Sequence, residues 1–493
     1  MASPRILFVA PQVDETAQLT PDLGIGFLAS ALRGGLYGVD FIDIKRDGID
    51  MPELMNRVRA SGYLMAGVKV FSLAVREANE VIKSIKEADP GITLVIGGPH
   101  PSYALEKSLR SCPEADIAVI GEADEAIVEL ARRLEKGKPI NGVESIAYRS
   151  GGSIRVNPKK HFIDAKTLPV PAWDLMDPRL YRKFENLWYY SRGKNAANVS
   201  VGRGCPYRCT FCSDFITSGK KVRYRTIESV IDEIKRLQAI YGVDEIHLTD
   251  SIFTINKRYV FEFCEAIIRN DIKIHWATPY GTRLDTLDAP LLRVMEEAGC
   301  YGTSVGIESG SARLMKFMKK GITPEKVEEK VHLIKKTTNM LVQGFFIIGY
   351  PTETEQSIRE TIELACRLPL DMAMFSPFRA TPGTEIAHWL KENEPEFTPK
   401  WDDHSVEKMT YHPKGISLEK LAQWNRRAYR KFYMRPRIIW NILKTVRGKR
   451  QISVLSNKFK RRLFRRTAGV KLELTAEGAK DAEARKKGLR GKR

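Results

Sequence analysis

Three cysteines within nine residues, Gly204-Cys205-Pro206-Tyr207-Arg208-Cys209-Thr210-Phe211-Cys212, are the part of this chain best equipped for chemistry. Thiolates are the usual ligands of iron–sulfur clusters, and the spacing Cys-x-x-x-Cys-x-x-Cys lets one loop grip three corners of a cube. A 4Fe–4S cube has four irons, so three thiolates leave one iron open to a ligand from outside the protein. Zinc is the competing reading. A closed structural zinc site takes four ligands, and no fourth Cys or His follows at short spacing. The other cysteines, Cys112, Cys264, Cys300 and Cys366, are scattered. Cys264 and Cys366 fall on apolar helical faces and read as core. Cys300, just before a strand, is the only one of the four placed where it could approach the barrel mouth, and core is the favoured reading for it too. Seven cysteines in 493 residues do not make a disulfide framework and point to a reducing compartment.

The pattern Cys205, Cys209 and Cys212, with the aromatic Phe211 before the last cysteine, resembles the radical S-adenosylmethionine (SAM) superfamily. The resemblance implies that the open iron is chelated by the amino and carboxylate groups of SAM, with Phe211 near the adenine. Reductive cleavage of the sulfonium would then give a 5′-deoxyadenosyl radical that takes a hydrogen atom from substrate. It also implies an electron donor of flavodoxin or ferredoxin type.

The loop needs a scaffold, and residues 195–394 supply one. An apolar run at Ala196 to Val201 leads into it. Thr226 to Tyr241 follows as an amphipathic helix with Val230, Ile234, Leu237 and Ile240 on one face. Strand–helix pairs then recur: Glu245 to Leu248, Lys273 to Ala277 with Leu284 to Glu297, Gly302 to Ile307 with Ser311 to Met318, Leu341 to Ile348 with Glu355 to Leu368, and Asp371 to Phe378. Repeated βα units predict a partial (β/α)6 TIM-type barrel with its chemistry at the carboxyl ends of the strands. Polar and glycine residues fall at those ends. The resemblance assigns Asp250 and Ser251 to the methionine amino group, Glu308 and Ser309 to the carboxylate and ribose, and Gly349 to the adenine side. Read alone, each is a turn or a helix cap.

Residues 1–140 alternate strands (Arg5 to Ala10, Asp40 to Ile44, Leu64 to Val70, Thr93 to Ile96, Ala115 to Ile120) with helices (Leu23 to Arg33, Val81 to Glu87, Ala126 to Leu134). This α/β pattern predicts an open, Rossmann-like parallel sheet that binds ligands beyond its strand ends. Leu23-Gly24 within Pro21 to Ala29, Gly97-Gly98-Pro99-His100-Pro101 and Gly121-Glu122 resemble the cobalamin-binding domain found upstream of many radical SAM enzymes. The resemblance implies cobalamin contacts at Leu23, Gly24, Gly97, Gly98, Gly121 and Glu122. None of the eight histidines stands in the Asp-x-His-x-x-Gly pattern that ligates cobalt from below. His100, between two prolines, reads as a loop residue that touches a ligand or merely makes the turn, with no catalytic role. Residues 141–194 read as a linker, with Ile154 to Phe162 a hairpin strand and Leu168 to Asp174 a proline-stiffened strap.

The chain is 43% hydrophobic and 28% charged, ordinary for a globular protein. Its first residues lack the apolar run of a signal peptide and no stretch reaches membrane-spanning length, so the expected location is cytoplasmic. The net charge of +20 could serve nucleic acid, but much of the excess falls in the last sixty or so residues. Residues 395–493 read as a helical basic tail: Ser417 to Tyr433, then Arg435 to Lys444, then Asn457 to Arg466, with 475–493 disordered. Basic segments carrying Trp, Phe and Leu suit either the inner face of a membrane or packing on the barrel. The expected function is a cobalamin-dependent radical methyltransferase acting on a small hydrophobic or membrane-associated molecule. The alternative is a non-methylating radical cyclase or rearrangement enzyme of tetrapyrrole or lipid type. An RNA-modifying role has only the net charge behind it.

Overall fold

The computed structural model of the chain describes residues 3–12, 19–182, 191–398 and 409–445. Short apolar runs bounded by turns, such as Ile6-Leu7-Phe8-Val9, become strands buried on both faces, as parallel sheets require. The first sheet takes β1 (Arg5–Ala10), β2 (Gly38–Asp43), β3 (Met65–Lys69), β4 (Thr93–Gly97), β5 (Ile117–Val119), β6 (Ile146–Ser150) and β7 (Ser153–Asn157), in the order β2-β1-β3-β4-β5-β6-β7. Strands β1 to β5 run parallel, and the β6–β7 hairpin adds antiparallel to β5. The sheet thus reaches Asn157, into the stretch expected to be linker. A helix unmarked by strong periodicity, Met51–Ser61, buries only Leu54 and Val58 and packs against the longer helix Val75–Ala88. His100 lies in the short helix Pro99–Ala104 and not in an open turn. It is buried, with its ring nitrogens 3.1 Å from Ser72 Oγ and Ser111 Oγ, and serves packing.

The second sheet is entirely parallel. It runs β8 (Ala196–Val199), β11 (Glu245–Leu248), β12 (His275–Thr282), β13 (Cys300–Glu308), β14 (Leu341–Ile348) and β15 (Met372–Pro377), each beside the next. Among the described residues no ladder joins β15 to β8, so this is a barrel left open. A separate two-stranded ribbon pairs β9 (Gly202–Arg203) with β10 (Arg223–Tyr224). The helix Ile227–Tyr241 is capped by Thr226 and ended by Gly242 at φ +63°; it buries Val230, Ile234 and Leu237 but leaves Ile240 exposed. Cys300 opens β13, at the end of the barrel away from the cysteine loop, and is buried; it does not approach the site.

The strap joins the two sheets' layers. Trp173 Nε1 donates to Glu233, itself buried against Arg225, while Asp174 pairs with Arg33. Breaking a buried pair such as Arg225–Glu233 from one side costs about 3–5 kcal/mol. Leu418–Tyr433 covers the open edge at β15: the Tyr429 and Tyr433 hydroxyls accept from the Phe375 and Ala373 amides, satisfying edge groups that no strand pairs. Pro436–Thr445 follows it. The expected segments Asn457 to Arg466 and 475–493 lie outside the described residues. Among those described, no helix is long and apolar enough to cross a membrane.

Candidate active site

The cysteine loop leaves β8 through β9 and is fixed from several elements. Gly204, at φ +101°, turns the chain where a Cβ would collide with the Lys221 carbonyl, so the position admits only glycine. The Cys205 amide donates to Gly219 O (3.1 Å) and the Thr210 amide to Met318 O (3.0 Å). The Thr210 hydroxyl meets Tyr350 Oη at 2.6 Å, and the Arg283 guanidinium lies 3.6 Å over the Tyr207 ring. Arg283 also donates to Lys320 O at 2.7 Å, closing a circuit of loop, β12 end and the turn after the helix Ala312–Phe317.

The three thiols are free and half-buried. Burial pushes all three up, Cys212 to about 12, while the Lys320 and Arg283 cations pull Cys209 back down. The fold alone therefore keeps them protonated, and a metal is what converts them to thiolates, with release of protons. Among the described residues no three His, Cys, Asp or Glu side chains converge on a point one ion could occupy. In a cluster each thiolate binds its own iron, so the three thiols need not meet at one point. The donor set fits a cluster. Arg283 Nη1, buried without a partner, is the kind of donor a carboxylate such as that of SAM would satisfy.

The residues expected at SAM are distributed as follows. Phe211 packs edge-on to Tyr350, ring centroids 6.3 Å apart. Glu308 adopts φ +71°, uncommon for a residue with a side chain, and pairs with Lys320 at 2.7 Å. The Ser309 hydroxyl is buried; it accepts from Ser311 N and meets Thr361. The Gly349 amide, at φ +87°, donates to the Glu353 carboxylate, which burial raises to about 8. Asp250 is buried with both oxygens taking amides, Val201 N at 3.1 and 3.2 Å and also Gly202 N. Its carboxyl is raised to about 7 by burial. Ser251 bonds Asp214, whose carboxyl burial also raises.

Asp250 and Ser251 also border open space. They line a cavity of about 420 Å³ together with Leu23, Gly24, Gly97, Gly98, Gly121 and Glu122, bringing all six positions read for cobalamin to one place. It shares Asp22, Leu23, Gly24, Lys69, Pro99, Tyr103 and Thr249 with a second cavity of about 690 Å³. That one lies between the strand ends of both sheets, from Pro11, Lys45 and Phe71 to Asn198, Tyr280 and Arg379. A Cβ on Gly97 would meet nothing within 4 Å, and Gly98 sits at φ +102°, so bare backbone borders the space, as a large flat cofactor requires. Cobalamin fits there. Glu122 touches the cavity but is spoken for: both its oxygens take the Arg223 guanidinium. No histidine lines either cavity among the described residues. Sequence reading missed Tyr103, which lines both cavities and reaches Ser213 beside Cys212. Its only signal was its place just past Gly97-Gly98-Pro99.

Residues 199–365 match the Radical SAM superfamily and residues 11–131 the B12 binding domain. An uncharacterized methyltransferase of Pyrococcus horikoshii is 30% identical over 441 residues, covering 88% of this chain and 94% of the relative. The anaerobic magnesium-protoporphyrin IX monomethyl ester cyclase of Rubrivivax gelatinosus is 25% identical over 441 residues, 87% and 77% of the two chains. Among solved structures, the radical S-adenosylmethionine methyltransferase TsrM of Kitasatospora setae, with tryptophan substrate and a SAM analogue bound, aligns at TM-score 0.69 and 20% identity. The alignment covers 79% of this chain and 76% of that one, and the likeness is one of fold.

Proposed function

The chain belongs to the radical S-adenosylmethionine superfamily, in the branch that carries a B12-binding domain, and from that footing we propose that it transfers a methyl group to a carbon of a small hydrophobic molecule. Its cofactors are a 4Fe–4S cluster, SAM and cobalamin. Bound together, these supply a reducing electron, a substrate radical and a transferable methyl group. Cys205, Cys209 and Cys212 are the residues to hold three irons, with Arg283 and Lys320 supplying positive charge beside Cys209. Phe211 and Glu308 are the residues to border SAM, and the bare backbone at Gly24, Gly97, Gly98 and Gly121 is where the corrinoid would lie.

The observation that carries this reading is the 690 Å³ cavity. Methyl transfer needs a substrate space between the two layers, and this cavity is lined from the strand ends of both sheets. Leu19, Leu23, Phe71, Leu73, Ala380 and Phe397 make much of its wall apolar, which favours a hydrophobic substrate and excludes water from a radical. A cyclase reading keeps the same cofactors and differs in product; the Rubrivivax relative favours keeping it in view.

The test is anaerobic reconstitution with iron, sulfide and hydroxocobalamin, followed by reduction with a flavodoxin or ferredoxin and SAM bearing a deuterated methyl group. Stoichiometric corrinoid retained beside the iron–sulfur band, with S-adenosylhomocysteine and 5′-deoxyadenosine both formed, is the expected result. 5′-Deoxyadenosine without retained corrinoid would overturn methyl transfer and leave a radical enzyme of another kind.

A further inference from the structure

Positive charge is concentrated in one stretch. Between Glu419 and Glu473 there are 18 Lys and Arg and no Asp or Glu, against a net excess of 20 for the whole chain. The rest of the protein is therefore close to neutral in net charge, and this segment carries the excess. Within it, the helix Pro436–Thr445 is oriented unusually. A surface helix normally turns its apolar stripe inward. Here Pro436, Ile439, Trp440 and Leu443, at i, i+3, i+4 and i+7, all face out. Ile439 is 41% exposed, Trp440 59% and Leu443 63%, with Met434 alongside at 63%. The helix is held from its other side, by buried Ile438 and by arginines: Arg437 donates to Leu370 O at 3.0 Å and Arg435 to Cys366 O. Exposed Arg430, Lys431, Arg437 and Lys444 surround the stripe, Lys444 lying 5.1 Å from the Trp440 ring centroid.

We propose that this outward stripe and its cationic rim are a docking surface for an anionic lipid bilayer. Tryptophan and branched aliphatic side chains partition into the headgroup–acyl boundary, while flanking cations meet the negative surface potential. Either signal alone gives marginal binding, and here both lie on one face. A second copy of this chain would bring two cationic rims together. An RNA would pair the charges but leave three large apolar side chains in water. Arg437 bolts the helix to Leu368 and Leu370, just before β15, whereas the cavities lie at the carboxyl ends of the strands. Docking therefore turns the amino-terminal ends of the barrel strands to the lipid and leaves the cleft at their carboxyl ends facing away from it. The inference is independent of the methyl-transfer reading.

The full-length reconstituted protein is sedimented with vesicles of phosphatidylcholine alone and of phosphatidylcholine mixed with phosphatidylglycerol, at low and high salt. Wild type is expected to bind the mixed vesicles, and the bound-to-free ratio to fall about tenfold in phosphatidylcholine alone or at high salt. Trp440→Ser with Leu443→Ser is expected to lose about tenfold on mixed vesicles while cleaving SAM at the wild-type rate, which shows its fold intact. Ile439→Ser, a milder change on the same stripe, should lose less in the same direction. Binding that is absent, or identical in wild type and both variants, overturns the proposal. So does a wild-type dimer that the double variant converts to monomer without any vesicle binding, or tight RNA binding that none of the changes affects.

Discussion

Asp250→Asn separates two accounts of a residue beside the cysteine loop. The resemblance to radical SAM enzymes makes Asp250 a contact to the cofactor's amino group, whereas the structure spends both its oxygens on the amides of Val201 and Gly202, which lead into Cys205. Burial raises this carboxyl from 3.8 to about 7, the two amides pulling the other way. Between about pH 4 and pH 7 the folded protein thus holds a proton that the unfolded chain has released. Stability falls as pH rises through that window, and the loss is complete above it. From pH 5 to pH 8 the folded state meets about two units of this gap, on the order of 3 kcal/mol. Asparagine does not ionise. It keeps one carbonyl oxygen for the amides and turns an NH2 toward them, stranding a buried donor at a cost of about 1–3 kcal/mol. The variant should therefore be less stable than wild type at pH 5 and equal or more stable at pH 8. Thermal unfolding of the metal-free protein with a thiol reductant under argon, followed by circular dichroism, reads the difference, and every other titrating group is common to both proteins and cancels. A gap of the same size at both pH values would refute the reasoning. An unchanged unfolding profile with only weakened SAM binding would return Asp250 to the cofactor.

Two further changes probe the loop and the layer between the sheets. Gly204→Ala forces a side chain into φ +101° against the Lys221 carbonyl; strain on the order of 1–3 kcal/mol should displace Cys205 and lower iron per chain after reconstitution, with far-ultraviolet circular dichroism unchanged. Arg223→Met strands Glu122, 7% exposed at its side chain, without its cation. The expected loss is about 3–5 kcal/mol, seen as a lower melting temperature and weaker retention of hydroxocobalamin, and Arg223→Met with Glu122→Gln should recover part of it. Equal melting temperatures for the single and double variants would show that the pair is not what holds these layers.

The strands were legible because parallel sheets demand continuous apolar runs, and Leu341 to Ile348 was read to the residue. Helices with two buried side chains were not: Met51–Ser61 shows only Leu54 and Val58 to the core, too few to make a period. The β6–β7 hairpin was read as local structure because nothing in Ile146 to Asn157 says which sheet edge it will join; that is decided by where β5 leaves an unpaired ladder. The tail's basic and apolar residues suit a membrane or the barrel equally, and the structure divides the described part of it. Leu418–Tyr433 packs inward on β15, and Pro436–Thr445 turns its apolar stripe out.

The site was legible in its atoms and not in their partners. A loop of three cysteines carries the same backbone burden as any other irregular segment: its amides and those of the flanking strands must be satisfied, or each costs more than a kilocalorie or so. Polar residues at strand ends are the nearest means of satisfying them, and they are also the residues a cofactor would use. Asp250, Ser309, Glu122 and Gly349 stand where ligand contacts were expected, yet their hydrogen-bonding groups go to Val201 and Gly202, Ser311 and Thr361, Arg223, and Glu353. Sequence gives the position of each polar group but not how many of its lone pairs remain open. Arg283 shows the converse. Its place after a strand marks it no more than many arginines, but with Nε and Nη2 committed to Asp285 and Lys320, it is left with one buried, unpaired nitrogen beside the cysteines. An unspent donor on a rigid fork says something that residue type does not, because a bound acceptor such as a carboxylate would supply the bond that the fold leaves unmade.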